Sequence, residues 1–260
     1  MDLNTVTEVV SPAGPGQWRP GDAWLGGGTA LFAEPRPHLS RLLDLTTAGW
    51  PALTMRADGL EIAATCTIAE LAASGHDIVE RCCHAFLASF KIWNVATVGG
   101  NLCAALPAGP MIALGAALDG KCLILGPEGE RREVAVSEFV TGEATTVLRD
   151  GELLRSVHLP KLPLLSPTAY RQASLHAHGR SGVLVIGRRA GDGLAITVTA
   201  ATRRPYVLRF PEMPEPEVVQ IAVTERIPEE AYVRDVHGLP AWRRHLTRLY
   251  AEEVRRELAG

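Results

Sequence analysis

Two glycine clusters decide the fold of this 260-residue chain, Leu25-Gly26-Gly27-Gly28-Thr29 and Thr97-Val98-Gly99-Gly100-Asn101. Each cluster follows a short apolar or β-branched run, and the residues after it favour a helix or an extended turn. Glycine has no Cβ atom and adopts backbone angles that other residues avoid, so consecutive glycines allow a close approach to the backbone. The sequence therefore predicts a backbone cradle at each cluster.

The chemistry that fits such cradles is the binding of a diphosphate. Backbone N–H groups and a helix N-terminus attract phosphate oxygens, and Thr29, Thr97 and Asn101 add side-chain donors. Neither cluster matches the GxxxxGK(S/T) pattern of P-loop nucleotidases or a Rossmann GxGxxG unit. On spacing alone, two ordinary glycine turns remain the alternative.

The composition is that of a globular protein and argues against other classes. Hydrophobic residues make up 47%, charged residues 21%, and the formal net charge is -3. A near-neutral chain is a poor partner for nucleic acid, because phosphate binding needs concentrated positive charge. The arginine pairs at 188–189, 203–204 and 243–244 are interpreted as solvated surface. No apolar run reaches the roughly 20 residues of a membrane span, and the N-terminus lacks a signal pattern, so we expect a cytoplasmic location.

The cysteines and histidines predict no metal site. Five cysteines without a CxxC pair favour reduced thiols. Adjacent Cys82 and Cys83 would point about 100° apart on a helix, so they are poorly placed to hold one ion. His176 and His178 could share a strand face, but no acid or cysteine lies nearby, which favours a polar loop. Hydrolase chemistry has no support, because no GxSxG or Ser-His-Asp pattern is present.

Periodicity predicts short strands and helices up to Pro160, and the residue pattern changes beyond it. Thr67 and Glu70 have the spacing of a capping box, so a helix should begin there and end near Ser74. Other helices are predicted over 78–92, 111–118 and 239–258, with a short one after Gly28. Strands are predicted over 23–25, 42–45, 59–64, 121–125, 131–136, 153–159, 183–186 and 194–199.

The order of these motifs resembles that of the FAD-binding subunits of molybdenum hydroxylases, such as the medium chain of carbon monoxide dehydrogenase and the flavin domain of xanthine dehydrogenase. The Thr-Val-Gly-Gly-Asn segment after Asn94-Val95 is fairly specific, whereas the first cluster alone would be weak. The resemblance is strongest from Trp24 to Pro160. Its matching segments are 25–31, 58–62, 67–71, 94–102, 151–154 and 159–160.

The resemblance implies an α+β fold. It consists of a two-subdomain FAD-binding fold of the vanillyl-alcohol-oxidase/PCMH type, followed by a C-terminal domain with a small antiparallel sheet and helices. The FAD-binding domain would span residues 1–160, with subdomains over about 1–52 and 53–160. The C-terminal domain, of the carbon monoxide dehydrogenase flavoprotein type, would span residues 161–260.

The resemblance also implies which residues hold the FAD. Leu154 matches a residue near the isoalloxazine ring, with ordinary core as the alternative. Arg171 matches a position that often holds a lysine near the flavin, where a cation could stabilise anionic reduced flavin; the alternative is a surface charge. The residues that match contacts to the diphosphate and ribityl chain are Leu25, Gly26, Gly27, Gly28, Thr29, Ala30, Leu31, Ala96, Thr97, Val98, Gly99, Gly100 and Asn101.

Two positions depart from the family pattern. Ala30 and Pro110 stand where members usually carry aspartate, and the second of these aspartates commonly hydrogen-bonds the ribityl chain. Their loss motivates one alternative, a diverged scaffold subunit that keeps the fold without binding flavin.

The implied function is that of an electron-transfer subunit. Electrons would pass from an iron–sulfur partner, fed by a molybdopterin partner, through FAD to NAD, a quinone or oxygen. The flavin carries this chemistry, so no catalytic acid or base is nominated. A stand-alone FAD-dependent oxidoreductase acting on a small organic substrate is the second alternative.

Overall fold

The structure is a computed structural model that describes residues 3–260. The strands are β1 (Glu8–Val10), β2 (Asp22–Leu25), β3 (Arg41–Asp44), β4 (Leu53–Arg56), β5 (Gly59–Ala63), β6 (Lys121–Leu125), β7 (Arg131–Ala135), β8 (Val140–Gly142), β9 (Thr145–Thr146), β10 (Leu153–Pro160), β11 (Thr168–Ala173), β12 (Val183–Ala190), β13 (Gly193–Thr199) and β14 (Tyr206–Phe210). The helices are α1 (Ile68–Ala72), α2 (Asp77–His84), α3 (Phe90–Trp93), α4 (Val98–Ala104), α5 (Pro110–Ala117), α6 (Val136–Phe139), α7 (Lys161–Leu165), α8 (Pro216–Arg226) and α9 (Pro240–Ala259).

Three sheets of three or more strands organise the described residues, and β8 and β9 form a separate two-stranded pair. The first is parallel, with strand order β1-β3-β2. The second is antiparallel, with the order β4-β5-β10-β6-β7, and the third is an antiparallel meander from β11 to β14. The first sheet is built from strands within residues 8–44 and the second from strands within residues 53–160, and the third packs with α8 and α9, while the division of the chain into domains stays a prediction. The proposed domain boundary after residue 160 falls between β10 and β11.

Helix α5 lies between the second glycine cluster and the C-terminal sheet. All eight of its residues are buried, because it packs on α2, α4 and strands β12 and β13. Side chains alternate along β12, so Leu184 and Ile186 join the core around α5 while Val183 and Val185 join the core under α8 and α9. The C-terminal sheet is therefore covered on both faces.

Most predicted elements are confirmed, but two helices and one strand run differ. The capping box of Thr67 and Glu70 is present. The helix predicted over 78–92 is interrupted after His84, and a new one begins at Phe90, because the Ser89 hydroxyl caps it by accepting from the N–H of Ile92.

The short helix predicted after Gly28 is a turn. Gly28 has a φ of +71°, which is left-handed, and its carbonyl accepts from the N–H of Phe32 at 2.9 Å. The β-branched run before the second cluster is not a strand either. Thr97 is the N-cap of α4, so both glycines of that cluster lie inside the first turn of this helix.

Two arginines interpreted as solvated surface are buried. Arg188 donates from Nε to the carbonyl of Ala117 at 2.8 Å and pairs with Asp119 at 2.5 Å, which joins the C-terminal sheet to the end of α5. Burial lowers the pKa of Arg188. Arg243 is only 1% exposed. The sequence interpretation was wrong here because the acceptors of both guanidiniums come from distant segments, whereas Arg203 and Arg204 are exposed as predicted.

Candidate functional site

The two glycine clusters pack directly on each other. A Cβ atom on Gly26 would lie 2.9 Å from Thr97 Oγ1, and one on Gly27 would overlap the carbonyl oxygen of Val95. A Cβ atom on Gly99 would lie 2.5 Å from the side chain of Ala64. Close approach is thus the reason for these glycines, as predicted, but what they approach is another segment of this chain.

A groove of two joined clefts runs along this contact. We call the cleft beside residues 26–31 the loop cleft and the cleft beside Leu153 and Leu154 the apolar cleft. Each has a volume of about 240 Å³. Both clefts are lined by Trp24, Gly26, Thr97, Gly100 and Cys103. The loop cleft adds Gly27, Gly28, Thr29, Ala30, Leu31, Arg36 and Ala104, and the apolar cleft adds Leu45, Ala64, Thr65, Gly99, Leu148, Glu152, Leu153 and Leu154.

The two clusters contribute differently to the groove. Within residues 3–260, the backbone N–H groups from Gly27 to Leu31 have no hydrogen-bond acceptor. The first N–H groups of α4 are already used: Val98 donates to the carbonyl of Cys66 at 2.8 Å, Gly99 to that of Ala64 at 2.9 Å, and Gly100 to Thr97 Oγ1 at 3.0 Å. The first cluster therefore offers the donors, and the second offers a wall without side chains.

Ten of the fifteen predicted site residues line the groove, among them Leu154 in the apolar cleft. Leu25, Ala96, Val98, Asn101 and Arg171 do not. The Asn101 Oδ1 atom accepts from the N–H of Met111 at 3.1 Å, so this side chain holds the start of α5. Pro110, the second residue that departs from the family pattern, is buried at that same helix start.

Arg171 is held on the C-terminal helix. Its guanidinium pairs with Glu253 at 2.6 Å and with Glu257 at 2.8 Å, both on α9. Hydrogen bonding to Glu253 is the main cause that raises the pKa of Arg171. Two carboxylates of α9 thus bind this guanidinium, and its position beside the flavin stays a prediction.

Several lining residues were missed from the sequence because they come from separate segments. Trp24 donates from Nε1 to the carbonyl of Glu152 at 3.1 Å, which ties the parallel sheet to the start of β10. Leu45 reaches the apolar cleft from the end of β3, and Leu148 reaches it from the segment before β10. No local pattern marks such residues, although the exposed thiol of Cys103 lies one helical turn after Gly99.

Arg36 is the only lysine or arginine that lines the groove within the described residues. Its Nε atom is buried and has no hydrogen-bond partner there. Glu152, the only acid of the groove, is neutralised: it accepts from Arg132 at 2.8 Å and 2.6 Å, and this bonding holds its pKa below the usual value. The charge left uncompensated in the groove is therefore positive.

The described residues contain no group of three or more histidine, cysteine or acidic side chains placed to hold a metal ion. Burial raises the pKa of Cys66 and Cys83 to about 12, so both remain protonated thiols. None of the helices in residues 3–260 combines the length and the apolar composition of a membrane span.

Comparison with known proteins supports a flavin site. A family model described as the FAD binding domain in molybdopterin dehydrogenase matches residues 16–162. Xanthine dehydrogenases 2 and 1 of Arabidopsis thaliana are 27% and 28% identical to this chain over 148 residues, which is 52% of this chain. The chain spans 11% of the length of each of these relatives.

Solved structures with the same fold cover almost the whole chain. Quinoline 2-oxidoreductase from Pseudomonas putida 86 has a TM-score of 0.81 at 20% identity, over 99% of this chain and 98% of that one. Carbon monoxide dehydrogenase from Hydrogenophaga pseudoflava has a TM-score of 0.78 at 19% identity, over 96% of both chains. The enzyme from Oligotropha carboxidovorans has a TM-score of 0.76 at 21% identity, over 90% of this chain and 88% of that one. These likenesses confirm the predicted fold class.

Proposed function

Because this chain belongs to the family of FAD-binding domains in molybdopterin dehydrogenases, we propose that it is the electron-transfer subunit of a molybdenum hydroxylase-type oxidoreductase. Its electrons come from an iron–sulfur partner, and that partner receives them from a molybdopterin partner. The acceptor is external. FAD is the cofactor of this family.

The observation that carries the proposal is that the backbone donors from Gly27 to Leu31 and the Nε of Arg36 line one cleft and have no hydrogen-bond partner within residues 3–260. A diphosphate carries negative charge and many acceptor oxygens, so it satisfies both groups at once. The apolar cleft beside it offers Trp24, Leu153 and Leu154 to a planar ring system. The groove thus offers hydrogen-bond donors for a diphosphate and, next to them, an apolar surface for a ring system, as a dinucleotide requires.

The two missing aspartates do not remove this fit. Ala30 lines the loop cleft without a side chain that could repel a phosphate, whereas an aspartate there would add negative charge. Pro110 is buried at the first position of α5, where its missing N–H group costs no helical hydrogen bond. These residues argue for a rearranged contact set around the cofactor and against a scaffold that has lost it.

Bound FAD supplies the redox chemistry, and the protein contributes position and electrostatics. The loop from Gly27 to Leu31 and Arg36 bind and orient the diphosphate. The packed leucines of the apolar cleft exclude water from the ring system. Arg132 keeps the carboxylate of Glu152 ionised and paired, so this acid does not place a free negative charge against the cofactor.

We expect FAD to protect Cys103 from alkylation. Cys103 is the exposed cysteine and lines both clefts, whereas Cys66, Cys82, Cys83 and Cys122 are buried. Burial of its sulfur raises the pKa of Cys103 to about 12, so labelling is slow, and an excess of alkylating reagent at alkaline pH should label this one site in the apo-chain, located by peptide mass spectrometry. Addition of FAD should slow this labelling about tenfold or more, in proportion to occupancy of the groove.

The same sample should acquire the absorption bands of a bound flavin. Riboflavin and ADP serve as part-ligands that should each protect Cys103 less than FAD does. An apo-chain that takes up no flavin, and whose Cys103 reacts at the same rate with and without FAD, would contradict flavin binding.

The subunit model also predicts which kind of protein binds this chain in the cell. A tagged full chain, isolated gently from its native cells, should co-purify with a second chain that contains iron and acid-labile sulfide. A chain that is isolated alone and oxidises a small organic substrate with FAD would instead support the stand-alone oxidoreductase.

A further inference from the structure

A second pocket lies across Trp24 from the flavin groove. It has an apolar half of about 320 Å³ and a charged half of about 530 Å³. Arg131 and Arg155 line both halves, so we call it the arginine pocket. Leu45, Leu153 and the indole of Trp24 line both this pocket and the apolar cleft, so these three side chains form the partition between the two.

The two halves of the arginine pocket have different chemistry. The apolar half is formed by Pro12 and Pro15, by Trp24 and Trp50, and by Leu125. The charged half lies over the open face of the antiparallel sheet, where β4, β5, β10 and β7 bring their polar side chains together. Its charged side chains are Arg56, Glu61, Arg131, Arg132, Glu133 and Arg155.

Arg155 is half-buried at the junction of the two halves. It stands at an irregularity in the pairing of β10 with β6, and its guanidinium carbon lies 4.1 Å from the ring centroid of Trp50. Burial is the main cause that lowers the pKa of Arg155, and the neighbouring Arg56 and Arg131 lower it further, against the opposite effect of Glu61. Like charges therefore converge here at an energetic cost.

The acids of the pocket do not relieve this cost, because they pair elsewhere. Glu61 pairs with Arg56, and Glu133 pairs with Lys121 at 3.6 Å, while Arg132 is held at 2.6 Å by Glu152 of the groove. Within residues 3–260, neither Arg131 nor Arg155 forms an ion pair with a carboxylate. Two adjacent guanidiniums beside an aromatic wall are thus left with donors to offer.

We infer that the arginine pocket binds a phosphate-bearing anion of nucleotide size, with its phosphate on Arg131 and Arg155 and its planar ring in the apolar half. Guanidinium groups bind phosphate oxygens in a bidentate manner, and tryptophan and proline side chains pack well on planar rings. A small anion fits this site better than an acidic protein segment does. Arg155 is half-buried at the junction of the apolar half and the charged half, and both halves are concave. This site does not depend on flavin binding in the groove.

The test uses ADP and inorganic pyrophosphate as probes, with binding measured by isothermal titration calorimetry on the full chain saturated with FAD. FAD fills the groove, so any further ADP binding reports on another site. The chain carrying Gly100→Leu, which obstructs the groove, provides the same measurement without FAD. We expect saturable ADP binding in both samples that weakens as salt is added.

The double variant Arg131→Gln and Arg155→Gln should bind ADP at least about tenfold more weakly, because two charge-assisted contacts are lost. Its melting temperature should stay the same or rise, since converging like charges are removed, whereas a structural role would lower it. Arg180→Gln is the matched control, because Arg180 is exposed and lines neither pocket nor groove.

Equal ADP affinity in the wild type and the double variant would overturn the inference. So would binding of a glutamate-rich peptide without binding of ADP or pyrophosphate, since the pocket would then be a protein-docking site. If the wild-type chain takes up no FAD but still binds ADP through Arg131 and Arg155, the proposed function fails and this inference stands.

Discussion

Leucine in place of Gly100 should abolish FAD binding while the chain stays folded. Gly100 lines both clefts, and a Cβ atom added there would meet only Thr97 Oγ1, at 3.0 Å. A larger side chain therefore extends into the groove and not into the core. Replacing glycine by leucine inside a helix also favours the helix by up to about 1 kcal/mol. We expect the Kd for FAD to rise at least about 100-fold, a loss of about 2.7 kcal/mol.

The measurement is a titration of the apo-chain with FAD, followed by quenching of flavin fluorescence, with circular dichroism as the check on folding. Gly142→Leu is the matched control, because Gly142 lies outside the groove and an added Cβ atom would have ordinary contacts with Thr145. Gly99 is unsuitable as a test position, since its Cβ atom would collide with Ala64 and disturb the fold itself. Unchanged FAD affinity in folded Gly100→Leu would show that the groove is not the flavin site.

A second groove variant, Arg36→Met, separates the diphosphate from the ring system. Removing Arg36, the one basic side chain that lines the groove within residues 3–260, should weaken FAD binding about 10- to 100-fold, the range of hydrogen bonds to charged groups. Riboflavin, which has no phosphate, should bind both forms equally, and Arg180→Met should leave FAD affinity unchanged. An equal loss for riboflavin and FAD would mean that Arg36 acts on the fold and not on the diphosphate.

Replacing Arg243 by methionine should cost about 3 to 5 kcal/mol of the free energy of unfolding. Its Nη1 atom donates to the carbonyls of Gly182 and Ala200, both at 2.6 Å, and its Nε to that of Gly238 at 3.2 Å. It also pairs with Asp235. Methionine fills a similar volume but offers no donor, so three carbonyl oxygens at a nearly fully buried site lose their partner.

The neighbouring Arg244 is the matched control for this stability loss. Its side chain is 44% exposed and pairs with Glu229 at the surface, so Arg244→Met should change the free energy of unfolding by less than about 1 kcal/mol. Urea titrations followed by circular dichroism give both values. Similar midpoints for the two variants would contradict a structural role for the buried guanidinium.

The sequence predicted the path of the backbone better than the role of its glycines. The capping box at Thr67, the apolar helix α5 and the strand pair β12–β13 are local patterns, and all three are present. The glycines were assigned to ligand approach, yet Gly27 is required because it packs against the backbone of Val95, and Gly99 because it packs against Ala64, in both cases a segment distant along the chain. No local sequence pattern around either glycine identifies the segment that it contacts.

The same limit applies to charge. Arg243 and Arg244 are adjacent and chemically identical, so composition assigned both to the surface. Arg171 was placed near the flavin by resemblance, but Glu253 and Glu257 of α9 hold it. Conversely, Arg36 stands out only once the groove is known, because its lack of a partner is a property of its surroundings.

By itself, then, the sequence determined the family and the α+β class, because these depend on order and spacing along the chain, while the position of the cofactor loop stays a prediction. Only the tertiary structure decided which cluster donates hydrogen bonds. The first N–H groups of α4 are used by carbonyls of residues 64 and 66 and by Thr97, while those from Gly27 to Leu31 have no acceptor in the part of the chain that the structure describes. A backbone donor is available only if folding brings no acceptor to it, and that depends on every segment nearby.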